Sequence, residues 1–92
     1  MIKAVKLTIT GKVQGVYYRG WSKEQADKLG LHGWARNRLD GTVEILLKGD
    51  SASVDAMIDL CHQGPKFAAV ERVDLMDTKG ITPARFDIKP TV

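Results

Sequence analysis

Two glycines bracket a loop that leads an arginine toward a helix in G-K-V-Q-G-V-Y-Y-R, Gly11 to Arg19, the part of this chain best suited to chemistry. Glycine lets successive backbone N–H groups converge on one point with no Cβ in the way, and a helix N-terminus adds partial positive charge there. Arg19 brings a planar fork of donors matched to phosphate oxygens. The segment therefore reads as an anion site, although a plain strand-to-helix turn uses glycine for geometry alone. Other chemistries find less support. His32 and His62 are far apart in sequence and stand in no H-x-x-x-H or C-x-x-C frame, so no metal site is expected. Val16 and Tyr17 follow Gly15 where a Walker A loop needs Lys and then Ser or Thr, which disfavours ATP binding of that kind.

The elements that must position this loop can be read from periodicity. Val5, Leu7 and Ile9 alternate with Lys6, Thr8 and Thr10, which predicts a half-buried strand ended by Gly11. Tyr18, Ser22, Ala26 and Leu29 have helical spacing, and Gly30 with Leu31 suits a Schellman stop. Ser22 with Gln25 also fits a capping box, which would start the helix a turn later and leave Arg19 in the loop. Gly33 to Arg38 and Thr42 to Lys48 read as strands joined by the Leu39-Asp40-Gly41 hairpin, so Asn37 lies at a strand end. Asp50 or Ser51 caps a second helix whose stripe is Val54, Met57, Ile58 and Cys61, closed by Gly64 and Pro65. Cys61 thus reads as a small buried hydrophobe. Ala69 to Met76 is a fourth strand, and Phe86 to Lys89 a short fifth after a loop at Gly80 and Pro83. The order β-α-β-β-α-β is the split βαβ pattern of an α+β fold, an antiparallel sheet with two helices on one face. The other face is left toward solvent.

At 92 residues, 43% hydrophobic and 27% charged, residues 1–92 suit a single globular domain. One cysteine excludes an internal disulfide and favours a reducing compartment. The alternating start M-I-K-A-V-K-L-T-I-T is unlike a signal peptide, and no apolar run approaches the roughly 18 residues that span a bilayer. A cytoplasmic protein without membrane contact is expected. The net charge of +3 favours anionic partners without choosing among them. RNA recognition motifs share this element order, but they need aromatic side chains on the central strands. The corresponding strands here are V-K-L-T-I and T-V-E-I-L-L-K, so no nucleic-acid partner is expected, and Tyr17, Tyr18, Trp21 and Trp34 are assigned to packing around the loop and first helix.

Three blocks, G-K-V-Q-G-V-Y-Y-R, A-D-K-L-G-L-H-G-W-A-R-N and D-G-T-V-E, keep the order and spacing of the acylphosphatases, which the chain resembles over nearly its whole length. The resemblance implies a ferredoxin-like sandwich and hydrolysis of a small-molecule acyl phosphate to a carboxylate and inorganic phosphate, with no cofactor. It implies that Arg19 binds phosphate and that Asn37 orients the attacking water. It further implies that the backbone amides of Gln14, Gly15, Val16, Tyr17, Tyr18 and Arg19 cradle the phosphoryl group. Inorganic phosphate is then product and competitive ligand, and a monomer is expected. Arg38 follows Asn37 where some members carry a small hydroxyl residue. The segment F-D-I-K-P-T-V runs past the position where many members finish their last strand, and Pro90 is expected to stop pairing.

This equipment suits that reaction. A carboxylate leaving group, whose conjugate acid has a pKa of about 4, needs no proton at neutral pH. An alkyl phosphomonoester would call for a metal or a positioned acid. The different reading left open is a non-catalytic phosphate- or nucleic-acid-binding module of the same fold. In either case Arg19 alone would suit a surface salt bridge, and Asn37 alone a turn.

Overall fold

The computed structural model describes residues 1–79 and 84–92. In chain order the elements are β1 (Ile2–Lys12), α1 (Tyr18–Leu29), β2 (His32–Asn37), β3 (Val43–Asp50), α2 (Ser51–Gln63), β4 (Ala69–Asp77) and β5 (Phe86–Ile88). The strands form one sheet in the order β4-β1-β3-β2-β5, antiparallel except where β5 joins β2 in parallel. This is the expected α+β sandwich with the short fifth strand added at one edge. The loop expected at Gly80 and Pro83 lies outside the described residues.

The alternation in β1 has the predicted outcome. Val5, Leu7 and Ile9 are fully buried and meet Leu47, Ile45 and Val43 across the β1–β3 ladder. Both helices cover this face: Tyr18 and Ala26 of α1, and Val54, Met57 and Cys61 of α2, share the same core. Each large aliphatic side chain buried here contributes about 1.5–3 kcal/mol by leaving water. The helix ends follow from local chemistry. Gly30, at φ +70°, lets Leu31 N–H reach the Ala26 carbonyl at 2.9 Å while its own N–H reaches Asp27 at 3.2 Å, the Schellman pairing. Asp50 caps α2 by accepting from Ala52 N–H at 3.2 Å.

Two expectations change, and one open choice is resolved. Gly11 does not end β1. The strand runs on to Lys12 while β4 bulges opposite it at Glu71, and Gly11 sits there at φ +131° with no room for a Cβ, which would lie 2.3 Å from the Ala69 carbonyl oxygen. Of the two starts left open for α1 the earlier one holds: Ser22 is buried and donates to the Tyr18 carbonyl at 2.8 Å, so the helix starts at Tyr18 and holds Arg19 in its first turn. Trp34 does not pack near the loop. Gly33 and Ala35 take the helix-facing positions of β2, which puts Trp34 on the opposite face, with the Arg36 guanidinium 4.6 Å and the Lys89 ammonium 5.1 Å from its ring centroid.

That opposite face is less open than alternation implies. Leu46 and Glu44 on the central strand β3 are 4% and 5% exposed. Glu44 is held by Arg36, by Arg38 at 3.4 Å and by Lys6 at 3.4 Å. Burial alone would raise its pKa, but the Arg36 hydrogen bond and the three positive charges outweigh this and hold the carboxyl below its ordinary value.

Candidate active site

The loop between β1 and α1 is set by two left-handed residues, Gly15 at φ +74° and Tyr17 at φ +67°. A Cβ at Gly15 would meet nothing within 4 Å, so glycine serves the backbone angle there and not a close contact. Tyr17 has a side chain and still adopts this conformation, an uncommon arrangement for a bulky residue. Its ring lies against Gly20, where an added Cβ would fall 2.2 Å from it, and its hydroxyl donates to Glu24 Oε2 at 2.9 Å. The first bond of α1 joins Trp21 N–H to the Tyr17 carbonyl at 2.9 Å. The amides of Tyr18, Arg19 and Gly20 therefore precede the helical ladder.

Side chains tie this loop down on two sides. Tyr18 is 2% exposed, packs edge-on against Trp21 and donates its hydroxyl to the Cys61 carbonyl of α2 at 2.6 Å. Burial raises the pKa of this phenol, and it pushes the Cys61 thiol up to about 12. Both groups stay neutral at physiological pH. On the other side Gln14 donates from Nε2 to the carbonyls of Arg38 at 2.8 Å and Thr42 at 2.9 Å. These carbonyls belong to the β2–β3 turn, which closes through Arg38 N–H to Thr42 and through Asp40 accepting from Thr42. Gln14 thus links the loop to the hairpin that begins at Asn37.

Between loop and hairpin lies a depression of about 280 Å³. Gly15, Tyr17, Arg19 and Gly20 line it from the loop and α1, and Asn37 and Ile88 from β2 and β5, with Val13 and Tyr18 completing the lining. Arg19 and Asn37, 18 positions apart in sequence, share one cavity. Among the described residues neither the Arg19 guanidinium nor the Asn37 side-chain amide has an ion pair or hydrogen bond. Arg19 is thus not a salt-bridge residue within this set, and Asn37 closes β2 ahead of the turn.

Of the six residues of the expected cradle, Gly15, Tyr17, Tyr18 and Arg19 line the depression, whereas Gln14 and Val16 do not. The Tyr18 side chain points into the core, which leaves only its backbone to serve a ligand. Val13, Gly20 and Ile88 are lining residues that sequence reasoning missed. Gly20 had a signal, a glycine in a helical first turn beside Arg19, where glycine is otherwise unfavourable. Ile88 had none, because its place depends on the parallel pairing of β5 with β2. His32 and His62 lie outside the depression.

Comparisons with known proteins identify the family and the fold. The acylphosphatase family profile matches residues 5–88. The chain is 45% identical to the acylphosphatase of Rhodospirillum rubrum over 91 residues, covering 99% of this chain and 100% of that one. It is also 45% identical to that of Rhizorhabdus wittichii over 89 residues, 97% of this chain and 90% of the other. Among solved structures, an acylphosphatase from Coxiella burnetii superposes with a TM-score of 0.91 at 30% identity, covering 96% of this chain and 93% of its own. With a family match across nearly its full length and relatives of the same size, this chain belongs to the acylphosphatase family.

Proposed function

We propose that the protein hydrolyses acyl phosphates to a carboxylate and inorganic phosphate, with the phosphoryl group held by Arg19 and by backbone amides of the Gly15 to Arg19 loop. The observation that carries this reading is the meeting of Arg19 and Asn37, two polar side chains without partners among the described residues, in one depression walled by a left-handed loop and a helix start. An anion entering it meets a bidentate donor fork and the positive end of a helix dipole. Gln14 takes part by tying the loop to the hairpin and Val16 by spanning the two left-handed residues. Neither presents a side chain to substrate.

The oxygen of a water forms a bond to phosphorus as the bond from phosphorus to the acyl oxygen breaks, and the electron pair leaves with the carboxylate. Asn37 cannot act as a base at neutral pH, so its amide orients the water while a phosphate oxygen takes the proton. Arg19 and the loop amides stabilise charge on the equatorial oxygens. A carboxylate departs unprotonated, so neither a general acid nor a metal is required. Inorganic phosphate is product and competitive ligand, the working unit is a monomer, and nucleic acid is not a partner. A cytoplasmic setting belongs to the same proposal, supported by the lone, buried Cys61. Among the described residues no helix is long and apolar enough to cross a membrane.

Release of phosphate from benzoyl phosphate by the purified protein in EDTA, set against an alkyl phosphomonoester, tests the proposal. The expected result is turnover of the first and little of the second. Activity lost in EDTA and restored by a divalent ion would overturn it.

A further inference from the structure

Pro90 ends regular pairing at the β5 edge as expected, yet the chain regains β2 beyond it. Regular pairing ends at Ala35 with Ile88, and Lys89 N–H still donates to the Ala35 carbonyl at 2.9 Å. Pro90 has no N–H, and the chain passes over it and Thr91 without a backbone bond to β2 among the described residues. Contact then resumes one residue out of step. Val92 N–H donates to the Asn37 carbonyl at 3.1 Å, and the Val92 main-chain oxygen accepts from Leu39 N–H at 2.7 Å. Three steps along this segment, Lys89 to Val92, match two along β2, Ala35 to Asn37, so Pro90 and Thr91 supply the slack that lands Val92 on Asn37.

We propose that Lys89–Val92 is a strap that positions Asn37 for the reaction. The inference rests on the reading of Asn37 as the residue that orients water. Asn37 is the last residue of β2, where a strand frays most easily. Its inner side is secured through the next residue: Arg38 N–H bonds the Thr42 carbonyl at 2.9 Å, and the Arg38 carbonyl accepts from Gln14. Its outer side is secured by Val92. With both sides bonded, the backbone angles at Asn37 are fixed, and they set the direction in which its amide enters the depression. Val92 does not itself line that depression, so the strap acts through Asn37 and is not a catalytic group. Small displacements matter for such a residue, since a misplacement of about 1 Å can lower rate by about a hundredfold. Phosphate capture by Arg19 and the loop does not depend on the strap.

Val92→Pro removes the donating N–H without shortening the chain, and a variant ending at Pro90 removes the strap's landing point altogether. Turnover of benzoyl phosphate, inhibition by inorganic phosphate and thermal melting are measured for both, with Thr91→Ala as a control that leaves the backbone bonds in place. Both strap variants are expected to lower kcat on the order of tenfold, with phosphate inhibition within about twofold of wild type. In an Asn37→Ala background Val92→Pro is expected to add no further loss, because the residue it positions has gone. Wild-type kcat in both strap variants, an equal loss in the Asn37→Ala background, or a parallel loss of phosphate affinity would overturn the strap. Full turnover in Asn37→Ala alone would instead overturn the water-orienting reading on which it rests.

Discussion

Arg36 and Arg19 carry the same guanidinium, yet the fold uses them in opposite ways. Arg36, on β2, bonds Glu44 through Nε at 2.7 Å and Nη2 at 2.6 Å and lies over the Trp34 ring. Lys6 and Arg38 converge on the same carboxylate, so much of the positive charge on that face is already answered. Arg19 lines a depression and meets no counter-charge among the described residues. One region is an internally compensated structural cluster, and the other keeps a cation and an amide available. Net charge therefore says little about where an anion binds; what matters is which cations the protein leaves unanswered.

The sharpest way to break this contrast is to change the two arginines in parallel. Arg19→Lys keeps the charge but loses the bidentate fork, so both phosphate affinity and kcat/KM should fall, on the order of a hundredfold or more in kcat/KM. Inorganic phosphate should raise the melting temperature of the wild type and much less that of the variant. Arg36→Lys should leave turnover near wild type, and an equal loss from both would erase the distinction. Asn37→Ala comes next. Its kcat should drop by roughly 10² to 10³, as when one fixed donor is removed, while phosphate inhibition and circular dichroism stay close to wild type.

The smallest effect belongs to the compensated face. Glu44→Gln strands three cations, and since Lys6 and Arg38 are 37% and 39% exposed, water offsets much of the loss. A destabilisation of about 1–2 kcal/mol is expected at neutral pH, with activity unchanged. The pH dependence has a definite sign. The folded pKa of Glu44 is depressed, so its contribution is present above the ordinary value of 4.5 and is lost as pH falls through the folded value. Chemical denaturation from neutral to acid pH should show a shallower acid limb in the variant, and coincident profiles would remove Glu44 from the stability of this face.

Much of this was legible from local pattern. The β1 alternation, the Gly30 stop and the Asp40-Gly41 hairpin are short-range signals, and each has its expected outcome. The left-handed loop and the place of Arg19 at a helix start were legible because glycine and helix-start chemistry are local too. What escaped depends on partners distant in sequence. Gly11 looks like a terminator until β4 is seen bulging opposite it, and Trp34 looks like core until Gly33 is found pressed against Leu46, where a Cβ would lie 1.8 Å from the carbonyl oxygen. Gln14 reads as a loop residue until the hairpin carbonyls arrive, and Val92 as a residue past the last strand until it is found bonded to Asn37 and Leu39.

Tyr17 has one more consequence. Holding a side-chain-bearing residue at φ +67° costs about 1–2 kcal/mol, offset by the ring against Gly20, the Glu24 bond and the buried Tyr18 next in the chain. That cost falls on folding, before any substrate arrives. A small anion entering the depression has few atoms with which to order a loose loop, and here the loop is already shaped. On the proposed reading the loop is shaped for its anion in advance, and little binding energy goes into ordering it.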